Sequence, residues 1–147
     1  MKIFSPEVSS THPQDLWNVV GLGERGGVAL IDKINQGLEG TVAKRISEWA
    51  QITRMELQKM SGIPGATFNR GIKTRFSAGQ SERLVRMIGV IELTVRLFEG
   101  DKAAAQKWLH EANRALNWKT PASVLSSETG ALEVMRLITR IEQGVVS

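Results

Sequence analysis

The stretch from Ser77 to Gly100 constrains the fold more than any other part of the chain. Ser77-Ala78-Gly79-Gln80 has the spacing of a capping box, in which a hydroxyl and a carboxamide three residues on satisfy each other's backbone donors. Behind it Leu84, Ile88, Ile91, Val95 and Phe98 recur at alternating four- and three-residue steps. That heptad seam predicts one helix from Ala78 to about Glu99, stopped by Gly100. The seam is either the core of this chain or the contact face of a homodimer, and a homodimer seam is the expectation. No run of alternating apolar and polar residues argues for a sheet. An all-α fold of about eight helices around the long one follows.

Turn and cap chemistry places the other helices. His12-Pro13 starts a short helix carrying Leu16, Val19 and Val20, and Gly21 to Gly27 then interrupts the chain. A helix from about Val28 to Gln36 presents Leu30, Ile31 and Ile34 and stops at Gly37; Thr41 caps the next, with Val42, Ile46 and Trp49 on one face. Thr53-Arg54-Met55-Glu56 is a second capping box, opening a short helix to Met60. Ser61-Gly62-Ile63 turns, and Pro64 begins a helix to about Lys73. Two short helices joined by a glycine turn, with Leu57, Ile63 and Phe68 to pack between them, outline a helix-turn-helix. Asp101 caps a helix that buries Ala104, Ala105, Trp108 and Leu109.

Charge distribution adds a function to that outline. Lys44 to Arg86 holds nine basic and three acidic residues, a local +6 within a chain of net +4, so the remainder carries 4 − 6 = −2. A basic centre in a slightly acidic remainder suits a face that meets a polyanion, or else a plain solvated surface. In the second short helix Thr67, Asn69, Arg70 and Lys73, with Arg75 beyond its end and Arg54 on the preceding helix, are the residue types that read base edges and hold phosphates. Gly71 in that helix weakens it by about 1 kcal/mol relative to alanine. Operator DNA is the expected partner; a helix-turn-helix that serves only as structure is the alternative.

Catalysis finds little support. Cysteine is absent, which removes disulfides, thiolate nucleophiles and cysteine zinc sites and suits a reducing cytoplasm. The start MKIFSPEVSS lacks the apolar core of a signal peptide, and no apolar run approaches a membrane span. His12 and His110 lie far apart without a nucleophile, so no enzyme, metal site or cofactor is expected. Gly21-Leu22-Gly23-Glu24-Arg25-Gly26 has the glycine spacing of a dinucleotide loop, but that loop works between a buried strand and a helix, and a plain inter-helix loop is the expectation.

The last 35 residues carry the most specific signal. Thr120-Pro121 is a helix start, and a second helix from about Thr129 places Val134, Leu137, Ile138 and Ile141 on one face, with Gly144 past its end and Val145 and Val146 as an apolar tail. The run through Trp108-Leu109, Asn113, Ala115-Leu116, Thr120-Pro121, Glu128-Thr129-Gly130-Ala131, Val134 and Arg140-Ile141-Glu142-Gln143-Gly144 resembles the C-terminal toxin-binding domain of the Xre/MbcA/ParS antitoxin family. The resemblance implies an antitoxin of the RES-Xre kind. Its cognate toxin would have a RES domain that consumes NAD, the last helix and tail would obstruct the toxin's active site, and the helix-turn-helix would repress the shared operon.

Trp118, Arg136, Arg140, Glu142, Gln143, Gly144, Val145, Val146 and Ser147 are the residues expected to meet the toxin. A frayed end is the alternative reading of the tail. On this reading residues 1–40 are an N-terminal arm with helices, 41–76 the helix-turn-helix region, 77–100 the connecting helix and 101–147 the toxin-binding domain. A stand-alone transcription regulator, whose C-terminal region only dimerises or senses a ligand, is the competing function.

Overall fold

The computed structural model describes residues 15–23 and 27–144. Among them are α1 (Leu16–Val19), α2 (Gly27–Gln36), α3 (Thr41–Ala50), α4 (Arg54–Ser61), α5 (Gly65–Lys73), α6 (Ala78–Leu97), α7 (Lys102–Leu109), α8 (Pro121–Val124) and α9 (Glu128–Glu142), with a 3-10 turn at Arg114–Leu116. The described residues contain no strand, only two isolated bridges, Glu39 to Arg75 and Asn113 to Lys119. The fold is all-α, as expected. The expected helix start at His12-Pro13 and the tail Val145 to Ser147 lie outside the described residues.

Local caps start most of these helices. Thr53 with Glu56 and Ser77 with Gln80 form complete capping boxes; Asp101, Thr120 and Ser127 accept from the third amide of their helices. Thr41 behaves otherwise than expected: it is the first helical residue, and Gly40 takes the cap position. A Cβ on Gly40 would stand 2.0 Å from the Ile72 carbonyl oxygen, so close backbone approach to the end of α5 fixes the residue there.

Helix α6 is the axis of the molecule, packed by α1, α2, α3, α4, α7 and α9. Leu84, Ile88, Ile91 and Val95 are all buried inside this one chain, and half-buried Phe98 tilts against Trp108 with ring centroids 6.4 Å apart. The seam is therefore core, a correction to its reading as a homodimer face: side chains already removed from water by their own chain have no apolar surface left for a second copy. One contiguous core runs from Leu16 to Ile138, joining the helix-turn-helix and the C-terminal helices. Glu92 is buried on α6, where its Oε1 accepts the Leu16 amide at 2.8 Å and its Oε2 lies 3.8 Å from Arg96. That arrangement gives α1's otherwise orphaned first amide a charged acceptor and the carboxylate a counter-charge.

Candidate functional site: an exposed reading helix and an exposed C-terminal helix

Helix α4, the turn Gly62-Ile63-Pro64 and α5 form the expected helix-turn-helix. Gly62 is left-handed at φ +76, and Leu57, Ile63 and Phe68 are buried between the helices. Ser61 Oγ accepts the Ile63 amide and Gln58 Nε2 donates to the Ile63 carbonyl, so the turn is closed by side chains of α4. Asn69, Arg70 and Lys73 are exposed on the outer side of α5, with Thr67 half-buried and donated to by Arg70 Nη2 at 3.3 Å. Exposed Arg54 on α4 shares a hollow of about 320 Å³ with Met55, Gln58, Gly65, Phe68 and Asn69, which brings Arg54 and Asn69 to one surface.

Arg75 stands apart from that group. It donates to the Gly37 carbonyl, lies 3.6 Å from the Glu39 carboxylate and pairs with Glu39 in the isolated bridge, so it ties the end of the reading helix to the α2–α3 link. The sequence reading also left Met55 out; its large apolar side chain is 65% exposed beside the polar residues of the hollow.

Gly71 lies on the buried side of α5, away from the exposed polar face. A Cβ there would sit 2.3 Å from two ring carbons of Phe76, whose ring also packs against Phe68 with centroids 5.8 Å apart. Gly71→Ala is expected to lower stability by about 1–2 kcal/mol, because the cost of overpacking exceeds the roughly 1 kcal/mol of helix propensity gained. Thermal denaturation checks this; a higher melting temperature would mean that Phe76 yields.

The C-terminal half exposes two features. After the 3-10 turn, Asn117 (φ +58) and Trp118 (φ +66) are both left-handed, in a loop closed by the Asn113 amide to the Lys119 carbonyl and the Trp118 amide to the Asn113 carbonyl. Trp118 is 66% exposed. Two consecutive non-glycine residues in that conformation cost about 1–2 kcal/mol each, a strain held by the surrounding hydrogen bonds that turns a large aromatic into solvent.

The second feature is the outer side of α9. Leu132, Met135, Arg136, Thr139 and Arg140 surround an apolar hollow of about 460 Å³, and Arg136 donates to Glu133 at 3.0 Å. Glu142, Gln143 and Gly144 are exposed at its end, where Gly144 is left-handed at φ +78. Val134, Leu137 and Ile138 are buried as expected, but Ile141 is 38% exposed because the core ends before it. Leu132 was missed, although a leucine opposite the buried stripe was its visible sign.

These two surfaces touch through their supports. The Gly62 carbonyl accepts from Arg83 at 2.9 Å, a Cβ on Gly62 would come 2.9 Å from that of Ser126, and His110 Nε2 lies 3.8 Å from Glu56. A Cβ on Gly130 would meet the Val124 carbonyl oxygen at 1.8 Å, so α9 starts in direct backbone contact with α8, which in turn packs on α4.

Comparison with known proteins places these elements in a family. Residues 29–89 match the antitoxin Xre-like helix-turn-helix domain, and residues 94–144 match the antitoxin Xre/MbcA/ParS C-terminal toxin-binding domain. The whole chain is similar to an Antitoxin Xre of Photorhabdus laumondii (36% identity over 149 aligned positions) and one of Yersinia enterocolitica serotype O:8 (38%), each alignment covering 100% of both chains. With a helix-turn-helix and an exposed terminal helix on one core, and full-length similarity to two such proteins, the chain belongs to the Xre antitoxin family.

Proposed function

We propose that this antitoxin neutralises a RES-domain toxin that consumes NAD, laying α9 and the residues after it over the entrance to the toxin's active site, and that it represses its own operon through α5. The toxin assignment rests on the resemblance of the C-terminal residues. The observation that carries the two-part reading is the placement of two outward faces on one core: the polar and cationic face of α5, and the apolar hollow of α9 with its arginine rim. Methionine and arginine side chains around an apolar hollow are the composition enriched at protein interfaces, so inhibition would be steric and need no catalytic group. A homodimer on an inverted-repeat operator belongs to the same proposal, with its contact formed by side chains other than the buried seam.

Two outcomes are expected. Arg70→Ala with Lys73→Ala weakens binding to operator DNA and lowers the slope of log affinity against log salt by roughly one per lost phosphate contact. A salt titration with the parental slope would move DNA reading away from α5. Deletion of Val145 to Ser147 reduces protection of toxin-expressing cells, with the far-ultraviolet circular dichroism and melting temperature held at parental values; full protection by the shortened chain would remove the tail from the inhibitory surface.

A further inference from the structure

Gly21 and Leu22, after α1, border a cationic cavity separate from the outward faces of α5 and α9. Val20, Gly21 and Leu22, the end of α2 with Lys33, Gln36 and Gly37, the link Leu38-Glu39, the start of α3 with Thr41, Val42 and Arg45, and Arg75 together enclose about 370 Å³. Its wall carries three cations, Lys33, Arg45 and Arg75, against one carboxylate, Glu39, a local net of 3 − 1 = +2. Val20, Leu22, Leu38 and Val42 are buried beneath it, so the cations rim a concave, largely polar hollow set on a fixed apolar support. Like charges gathered around one concave hollow repel each other and favour an anion between them.

The three cations are held to different degrees. Lys33 Nζ reaches the Gly21 carbonyl at 3.4 Å, leaving its other donors available. Arg75 is fixed by Gly37 and Glu39 but keeps about half of its side chain exposed. Arg45 is exposed and has no hydrogen-bond or ion-pair partner among the described residues. A planar guanidinium free to present two parallel N–H groups is the donor best matched to phosphate oxygens.

We propose that this cavity binds a phosphate group, gripped by Arg45 with Lys33 and Arg75 in support. The phosphate belongs either to the backbone of DNA lying across the helix-turn-helix, since Arg75 follows α5 by two residues, or to a free phosphorylated small molecule. Of the Gly21 to Gly26 spacing, Gly21 and Leu22 line this cavity, Glu24 to Gly26 lie outside the described residues, and among the described residues no strand precedes it as a dinucleotide fold requires.

The test uses the full chain with Arg45→Gln and Lys33→Gln, both surface changes that leave the core intact. In one arm inorganic phosphate and adenosine 5′-monophosphate are titrated by nuclear magnetic resonance at constant ionic strength. In the other, operator DNA is titrated across a salt series. Loss of phosphate or nucleotide binding by fivefold or more in both variants assigns a free phosphorylated ligand. A five- to tenfold loss of operator affinity in Arg45→Gln, with a salt slope lower by about one, assigns the DNA backbone. Unchanged behaviour of both variants in both arms overturns the site. Arg70→Ala with Lys73→Ala run in parallel separates this from the reading helix: loss there alone rejects the cavity and leaves operator binding by α5 in place.

Discussion

Ile88→Ala is expected to cost about 3–4 kcal/mol of unfolding free energy, and to cost the same at every protein concentration. Ile88 is fully buried at the middle of α6, flanked on the seam by Leu84 and Ile91, which are also buried. Helices surround it on all the packed sides of α6, so the gap left by three missing carbons cannot close by movement of a surface element. The cost combines the lost transfer free energy with that of a cavity. Concentration is the deciding variable. A seam shared between two copies would lose its contribution as the copies separate, and the penalty would then depend on dilution. Urea unfolding of parent and variant at two concentrations differing a hundredfold measures this. A difference below about 1 kcal/mol, or one that changes with dilution, would return the seam to an interface.

The second large effect falls on binding rather than on folding. Trp118→Gly is expected to weaken toxin affinity about a hundredfold, or roughly 2.8 kcal/mol, the range of an aromatic anchor. Stability of the free chain should move by less than about 1 kcal/mol, because two small terms oppose each other. Glycine relieves the left-handed strain at φ +66, while the buried third of the indole loses its packing. Calorimetric titration of the toxin, beside thermal melts of the free protein, separates the terms. Affinity within threefold of the parent would remove Trp118 from the interface, and a large fall in melting temperature would make it a structural residue.

Much of the fold was legible because helix starts are written locally. Thr53 with Glu56, Ser77 with Gln80, Asp101, and Thr120 before Pro121 each contain their own cap within four residues, and all four open helices in the structure. What depended on distant partners was not legible. Nothing near Gly71 announces that the Phe76 ring folds back onto it, and nothing near Arg75 announces Gly37 and Glu39, 38 and 36 positions away. A heptad seam states that a face is buried but not by which chain; the tertiary contacts of α6 decide that.

The candidate site divides in the same way. The outward residues of α5 and α9 follow from helical period, since Phe68 with Ile72 and Val134 with Ile138 set the inner faces. Trp118 was recognisable as an aromatic in a loop, but its double left-handed turn was not: asparagine favours that conformation, whereas nothing local announces it for the tryptophan that follows. The cationic cavity draws on α2, α3 and the residue beyond α5, and no local spacing joins them.

The central claim, that this chain exists to silence a toxin, is tested most directly by purifying it from its native host with a tag on the N-terminus and the C-terminal end left free. The account predicts a stoichiometric partner that, expressed alone, stops growth and depletes cellular NAD, and that does neither when this chain is present. A protein that emerges without such a partner, yet still binds its own promoter, would contradict the account and leave a transcription regulator whose C-terminal helix is only a structural end.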